Sequence, residues 1–230
     1  MLTFLSTLSP STPFFVRCAI GTALVVTGVL TMMMFSQAHA GKYAEAQYQV
    51  VETIDSQCEI RRYEPMALLA TSTLLASSAS GSSNMNKAFG YLFAYIQGAN
   101  STKSKIAMTV PVLQYIHPAL HPGDDTRQAH QHMAFILPKP YTAKNAPKPL
   151  QEGVIIVDRP TQTFAVCQFS GSSRDTVMAK HAEHLTKVMQ REGLKPTHAD
   201  MSPMYAYYNA PFTLPFLKRN EVWVRIEPKV

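Results

Sequence analysis

Residues 85–96 read MNKAFGYLFAYI, and their apolar side chains recur at helical spacing. The apolar positions are Met85, Ala88, Phe89, Leu92, Phe93 and Ile96. Residues three and four apart share one face of a helix, so this pattern predicts an amphipathic helix that Ser83 or Asn84 caps and Gly98 ends. Such a helix must bury its apolar face, and a sheet is the expected partner.

Strand-like segments flank this helix, and the same order of elements returns in the second half of the chain. The predicted strands of the first half are residues 48–54, 59–63, 66–74, 105–116 and 133–137, with a polar loop over 118–131. Those of the second half are residues 153–157, 163–169, 203–208 and 221–226. Between them, Ser172 or Ser173 caps a second helix that Gly193 closes. The duplicated order predicts an α+β domain built on a pseudo-twofold, strongly curved antiparallel sheet.

The first 40 residues have the three parts of an export signal. Arg17 precedes residues 18–35, which carry no charge, and Ala38-His39-Ala40 follows as a cleavage site. We therefore expect residues 1–40 to be removed and residues 41–230 to form one domain in the periplasm or otherwise outside the cytoplasm. The alternative is an uncleaved inner-membrane anchor, because an 18-residue apolar run lies near the lower limit of the roughly 20 residues that span a bilayer.

Charge and cysteine content exclude some classes of partner and leave one pairing open. The chain has a net charge of +6 at pH 7, but its basic residues are scattered, which argues against nucleic acid as a partner. Two cysteines follow the signal, Cys58 and Cys167, and an oxidising compartment would permit a disulfide between them. Both lie in predicted strands, where buried free thiols are the alternative. The oligomeric state does not follow from the sequence.

Four sequence stretches, taken together and in order, resemble the SOUL family of haem-binding proteins. They are EIRRYEP (59–65), FAYIQGAN (93–100), KIAMTVPV (105–112) and YNAPFT (208–213), the last leading through Pro215 to RNEVW (219–223). The resemblance implies a distorted antiparallel β-barrel of two repeats, flanked by two α-helices. It also implies binding of haem or another porphyrin, without a catalytic constellation common to the family. Much of this signature would maintain the fold; Glu221, for example, would pair with Arg219 or Arg61.

The first helix is the candidate wall of a porphyrin site, and the resemblance points to the same helix and its nearby loops. A porphyrin needs apolar contacts for its faces and cations for its propionates. The candidate binding residues are Asn86, Lys87, Phe89, Phe93 and Tyr95. The alternative for Phe89 and Phe93 is that they belong to the core, as we expect for Leu92 and Ile96.

The iron ligand is unknown. Some family members carry a His directly before the Tyr of the first stretch, where this chain has Arg62. His130 and His132 would share one face if a strand begins there, and with His117 and His121 they could bind a metal ion. Solvated loop histidines are the alternative. His181 and His184 could likewise form a pair on the second helix.

The sequence contains no catalytic motif, so we expect a binding protein and not an enzyme. It has no nucleophile elbow, phosphate-binding loop, zinc-protease motif or dinucleotide fingerprint. One alternative is a small-molecule hydrolase with Glu64 or Glu221 as general base. Another is an interaction domain that has lost its ligand.

Overall fold

The computed structural model describes residues 43–74, 81–117, 130–197 and 202–228. The predicted export signal, most of the predicted 118–131 loop and His121 lie outside these residues, so the signal and the domain boundary at residue 41 stay predictions. The described strands are β1 Ala44–Glu45, β2 Tyr48–Thr53, β3 Cys58–Tyr63, β4 Met66–Leu74, β5 Thr109–Val110, β6 Val112–His117, β7 His130–Ile136, β8 Val154–Arg159, β9 Gln162–Phe169, β10 Met204–Tyr207 and β11 Asn220–Arg225. The two described α-helices are α1, Gly81–Ile96, and α2, Asp175–Arg191.

Nine of the described strands form one antiparallel sheet in the order β2-β3-β9-β11-β10-β6-β7-β4-β8. The turn after Tyr63 joins β3 to β4, although these strands stand six places apart in the sheet. In a flat sheet that separation would be about 28 Å. The three chain steps from Tyr63 to Met66 reach at most about 11 Å, so the sheet must curl until its two ends approach each other. The predicted α+β architecture, a distorted antiparallel barrel with two flanking helices, is confirmed.

The sheet order also confirms the two pseudo-twofold repeats. The first repeat contributes β3, β4, α1, β6 and β7, and the second contributes β8, β9, α2, β10 and β11. The first strand of each repeat does not pair within its own repeat: β3 pairs with β9, and β8 pairs with β4. The repeats meet again where β6 pairs with β10.

Apolar side chains fill three layers, because residues alternate between the two faces of each strand. The barrel interior is packed with its own side chains, among them Tyr63, Phe164 and Trp223. On the outside, α2 lies on β9 and β11 and buries Met178 and Leu185. The first helix lies on β4 and β7. Its Leu92 and Ile96 are buried, as predicted for the core.

Cys58 and Cys167 form a disulfide, which decides the pairing that the sequence left open. They stand opposite each other in the β3–β9 ladder, and both side chains are buried beneath α2. The bond therefore links the first strand of one repeat to the second strand of the other.

Three boundary predictions are wrong. Helix α1 begins at Gly81, so Ser83 and Asn84 lie within the helix and do not cap it. The other two concern α2 and the strand after α1. Neither Ser172 nor Ser173 caps α2, since Arg174 occupies the N-cap position without a side-chain hydrogen bond. The strand predicted from residue 105 begins only at Thr109, and Pro111 interrupts it because proline has no N–H to give to the ladder. At the other end of α1, Gly98 adopts a φ of +113°, in agreement with its predicted role.

Candidate functional site

The outer face of α1 presents two phenyl rings to solvent. Phe89 is 39% exposed and Phe93 is 42% exposed, and their rings stack with centroids 5.7 Å apart and planes 14° from parallel. Phe89 also meets the buried Phe135 edge-on at 5.3 Å, which fixes the pair against the domain. Residues one turn apart on a helix face the same way, so the 89/93 pair forms one apolar surface.

Small residues beside the phenyl rings keep this surface open. A Cβ atom built on Gly90 would meet nothing within 4 Å, and Ala94 is exposed one turn later. Lys87 and Asn86 are exposed at the N-terminal side of the same face. The Lys87 Nζ atom lies 5.8 Å from the ring centroid of Tyr91. The structure thus brings four of the five predicted site residues to one exposed face; their role in binding stays a prediction.

Tyr95, the fifth predicted site residue, points away from that face. It is 1% exposed, and its hydroxyl donates a hydrogen bond to the carbonyl of Pro147 at 2.7 Å. Burial raises the pKa of its phenol to about 12. This position ties α1 to the segment before β8 and is unfavourable for contact with a ligand on the outer face.

Inside the barrel, the carboxylate of Glu221 is fully buried and accepts five hydrogen bonds. Its Oε1 atom accepts from Nε and Nη2 of Arg219, at 3.0 and 2.8 Å. Its Oε2 atom accepts from three groups: Nη1 of Arg61 at 2.9 Å, the hydroxyl of Tyr208 at 2.9 Å and Nε1 of Trp223 at 2.7 Å. Pairing of Glu221 with Arg219 or Arg61 was predicted, and the structure shows both pairs at once. Because Glu221 is buried, these hydrogen bonds form an internal network whose members depend on one another.

Two further carboxylates extend the Glu221 network, which then holds three carboxylates and two guanidinium groups. Glu59 pairs with Arg61, and Glu45 accepts two hydrogen bonds from Nη1 of Arg219, at 3.2 and 3.0 Å. Burial raises the pKa of Tyr208, and the Glu221 charge raises it further. The Tyr208 phenol therefore remains a protonated donor at neutral pH, and the donors around Glu221 leave it little capacity to accept a substrate proton.

The histidines of β7 lie inside the barrel. His130 and His132 are buried on one face of the strand, as predicted, with ring centroids 6.2 Å apart. Tyr115 stacks on His132 at 5.1 Å. The alternative of solvated loop histidines is therefore wrong for these two. The backbone register places His117 opposite His130.

Within the described ranges, one group of side chains brings three metal-ligating atoms together: Cys58, Cys167 and His184. Both sulfur atoms belong to the disulfide, so they are not available as thiolate ligands. His181, the other histidine of the predicted helix pair, stacks on Phe169 with ring centroids 3.5 Å apart. Burial lowers the pKa of His181, and nearby His184 lowers it further.

A small groove opens at the N-terminal side of the domain. Its volume is about 370 Å³, near the lower end of the range of roughly 300 to 1,000 Å³ that is typical of small-molecule pockets. Ala44, Met66 and Ile136 are among its walls, and the exposed Glu64–Lys139 ion pair lies at its edge. It shares no lining residue with the outer face of α1. Among the described residues, no helix is both long and apolar enough to cross a membrane.

Known proteins resemble this chain over most of its described length. A family model described as SOUL heme-binding protein matches residues 43–225. Human heme-binding protein 2 is 30% identical over 167 residues, which cover 72% of this chain and 76% of that protein. The mouse heme-binding protein 2 is 28% identical over 191 residues, covering 80% and 87%.

A solved structure shares the fold at much lower identity. A hydrolase from Listeria innocua superposes with a TM-score of 0.52 at 15% identity, covering 74% of this chain and 92% of that one. At this identity the likeness shows a common architecture and carries no conclusion about activity.

Two features of the site region were not predicted from the sequence. Asn100 is fully buried, and its side chain donates to the carbonyls of Tyr95 and Ser104 while accepting from Thr102 and Ser104. The signal was an Asn two residues after the helix-ending Gly98, because Asn is suited to bonding local backbone. The enclosure of Glu221 had a weaker signal, a carboxylate directly before the apolar run Val222-Trp223-Val224.

Proposed function

The chain belongs to the SOUL heme-binding protein family, and we propose that it binds haem or another tetrapyrrole in the cell envelope without catalysing a reaction. The observation that carries this proposal is the exposed, stacked pair of Phe89 and Phe93 beside Gly90. A planar macrocycle needs a flat apolar surface with no side chain standing above it, and this part of α1 offers one.

The residues of this face fit a porphyrin. The two phenyl rings would contact the macrocycle, and Lys87 would pair with a propionate, helped by a hydrogen bond from Asn86. Tyr95 is left out of the proposed site because its ring is buried and its hydroxyl is bonded to Pro147. Haem would bring a redox-active iron when bound, and the residues of this face would hold only its periphery.

Among the described residues of this face, the exposed ones include no usual axial ligand, and Met85 and Tyr91 of α1 are only partly exposed. Among the α1 side chains that the structure describes as exposed, there is no His, Met, Cys or Tyr. Arg62, which stands at the position of the family's iron-linked histidine, is exposed in β3 and is not an iron ligand of the usual kinds. We therefore expect binding through apolar and propionate contacts.

Titration of the purified protein with hemin tests the proposal. We expect a saturable shift of the Soret band at one equivalent. Phe93→Ala removes one phenyl ring from the contact with the macrocycle. The affinity for hemin should fall roughly tenfold, because one apolar side chain fewer is buried on binding. Lys87→Glu should weaken it as well. Phe212→Ala is the matched control, because it removes an exposed phenyl ring from a different part of the domain.

Two results would contradict the haem proposal or its site. A spectrum that only follows free hemin would end the proposal. Ala44→Trp fills the groove beside β1; if this variant abolished hemin binding while Phe93→Ala did not, the ligand would lie in the groove and the assignment to α1 would be wrong.

Of the two carboxylates considered for hydrolysis, the placement of Glu221 argues against its use as a general base. Glu221 has no access to solvent and already accepts five hydrogen bonds. Glu64 is half exposed and paired with Lys139 at the domain surface. A general base must reach a substrate proton within hydrogen-bonding distance, and Glu221 is not placed to do so.

Export is the second part of the proposal and rests on the sequence of residues 1–40. Haem moves through the cell envelope, so a mature domain that begins at Gly41 would meet its ligand there. The disulfide between Cys58 and Cys167 supports this location, since such bonds persist in oxidising compartments. N-terminal sequencing of the protein from a periplasmic fraction should read from Gly41. An intact Met1 in a membrane fraction would favour the anchor.

A further inference from the structure

The loop between β10 and β11 carries the most exposed phenyl ring that the structure describes. Phe212 is 80% exposed and Phe216 is 57% exposed. No charged residue occurs from position 209 to position 217, and Ala210, Pro211 and Pro215 are also exposed. Most domains bury side chains of this size, so a contiguous exposed apolar patch indicates an interaction surface.

This loop holds its shape through its own hydrogen bonds. The side chain of Asn209 accepts a hydrogen bond from the backbone N–H of Arg219 at 2.7 Å. The carbonyl of Pro215 accepts from Gly171 N–H at 2.9 Å, and that of Pro211 accepts from Lys218 Nζ at 2.9 Å. The phenyl rings are therefore presented by an ordered backbone, and little conformational entropy is lost when they bind.

Cations surround the base of the apolar loop. Lys218 bonds the loop itself and the side chain of Ser173 at 3.3 Å. Arg174 is exposed beside Ser172, whose hydroxyl accepts its Nε–H at 3.2 Å. The exposed Asp175 is the acidic residue next to them. This arrangement matches the chemistry of an anionic bilayer. The protruding aromatic side chains would meet its apolar interior, and the cations behind them would meet its negative headgroups.

We propose that this loop inserts Phe212 and Phe216 into the interface of an anionic lipid bilayer, with Lys218 and Arg174 at the lipid phosphates. The proposal is independent of haem binding and goes beyond it. The net charge of the chain, +6, favours an anionic bilayer over a protein partner. Transfer of each phenyl ring into the bilayer interface should raise the affinity for vesicles by about tenfold or more. Each cation that contacts the anionic headgroups should raise it by about fivefold.

An indole placed at position 212 reports insertion directly. The chain has a single tryptophan, Trp223, which is fully buried, so Phe212→Trp in the full chain adds one exposed fluorophore. With vesicles of phosphatidylglycerol and phosphatidylcholine, its emission should move to shorter wavelength and be quenched by brominated acyl chains. Leu150→Trp is the matched control, because Leu150 is 69% exposed in another loop. Both variants share the same N-terminus, so attachment through that segment affects them equally.

Charge provides the second test. Arg174→Glu in the Phe212→Trp background should lower the affinity for the anionic vesicles at least fivefold, and vesicles of phosphatidylcholine alone should bind more weakly still. The proposal is overturned if position 212 shows neither shift nor quenching, or if position 150 responds equally. A blue shift without lipid that grows with protein concentration would instead assign the loop to contact with a second copy of the chain, and would overturn it too.

Discussion

Nη1 of Arg61 lies 2.9 Å from Oε2 of Glu221, and both side chains are nearly or fully buried although 160 positions separate them in the chain. Their strands, β3 and β11, are not neighbours, since β9 runs between them. The pair therefore bridges across a strand on the inner face of the barrel. A buried ion pair adds little net stability by itself, but removal of one member leaves the other as an uncompensated charge.

Glu221→Gln should accordingly lower the free energy of unfolding by about 3–5 kcal/mol, because Arg61 and Arg219 would lose their shared carboxylate. Urea denaturation at neutral pH measures this loss. Glu64→Gln is the control: its partner Lys139 is exposed, and the expected loss is at most about 1 kcal/mol. Equal effects of the two substitutions would contradict the importance of the internal network.

The disulfide should contribute strongly to stability because it closes a long loop. Cys58 and Cys167 are 109 positions apart, and a loop of about 100 residues corresponds to roughly 4.7 kcal/mol in the chain-entropy treatment. We expect the Cys58→Ser, Cys167→Ser double variant to unfold at a much lower urea concentration. Reduced wild-type protein should behave like the double variant. If the oxidised wild type is no more stable to urea than the double variant or the reduced wild type, the disulfide does not contribute to stability.

Gly90 allows the ligand face to be blocked without disturbing the core. A Cβ atom at this position meets nothing within 4 Å, so Gly90→Ala should stabilise α1 by about 1 kcal/mol through its higher helix propensity. Gly90→Leu should leave the fold equally intact but place a branched side chain beside the phenyl rings. We expect hemin affinity to fall for the leucine variant and to stay near wild type for the alanine variant. Unchanged affinity in both would place the ligand elsewhere.

Alkaline pH should weaken the fold partly through Tyr95. Burial raises the pKa of its phenol to about 12 from the ordinary value of 10, so the folded chain holds this proton more tightly than the unfolded chain. The resulting contribution to stability is complete below pH 10 and is lost as the pH rises towards about 12.

Tyr95→Phe separates this contribution from the hydrogen bond to Pro147. At neutral pH the variant should be less stable by about 1 kcal/mol, the usual value of one such bond. Its disadvantage should shrink above pH 10, because phenylalanine has no proton to lose. Urea unfolding of both proteins across this pH range measures the difference, and a gap that stays constant would argue against the raised pKa. Hemin affinity should be unchanged at neutral pH.

Local periodicity predicted the elements well where packing follows a simple alternation. Residues 66–74 form a strand as predicted, and Leu92 and Ile96 are buried as helical spacing requires. Prediction was poorest where one residue organises several others. Asn100 bonds the backbone of Tyr95 and Ser104, and the N–H of Ile106 donates to the carbonyl of Ile96. The segment predicted as strand from residue 105 therefore begins against the end of α1.

The candidate site was predictable only as a helix face. Residues two positions apart point to nearly opposite sides of a helix, so spacing already groups Tyr95 with the buried Ala88 and Leu92 and separates it from the exposed Phe93. The prediction that placed Tyr95 in the site overlooked this. The burial of Glu221 was beyond local pattern, because its partners Arg61 and Tyr208 come from two other segments of the chain. Long-range register decides the burial of Glu221, and register is not encoded in any single stretch.

The reciprocal placement of β3 against β9 and of β8 against β4 makes each half of the molecule structurally incomplete. One repeat produced alone would expose the backbone of its first strand along an unpaired edge. That edge would stay exposed unless it paired with a strand of a second polypeptide. In the full chain both repeats belong to one molecule, so these reciprocal strand pairings form within it and do not depend on protein concentration.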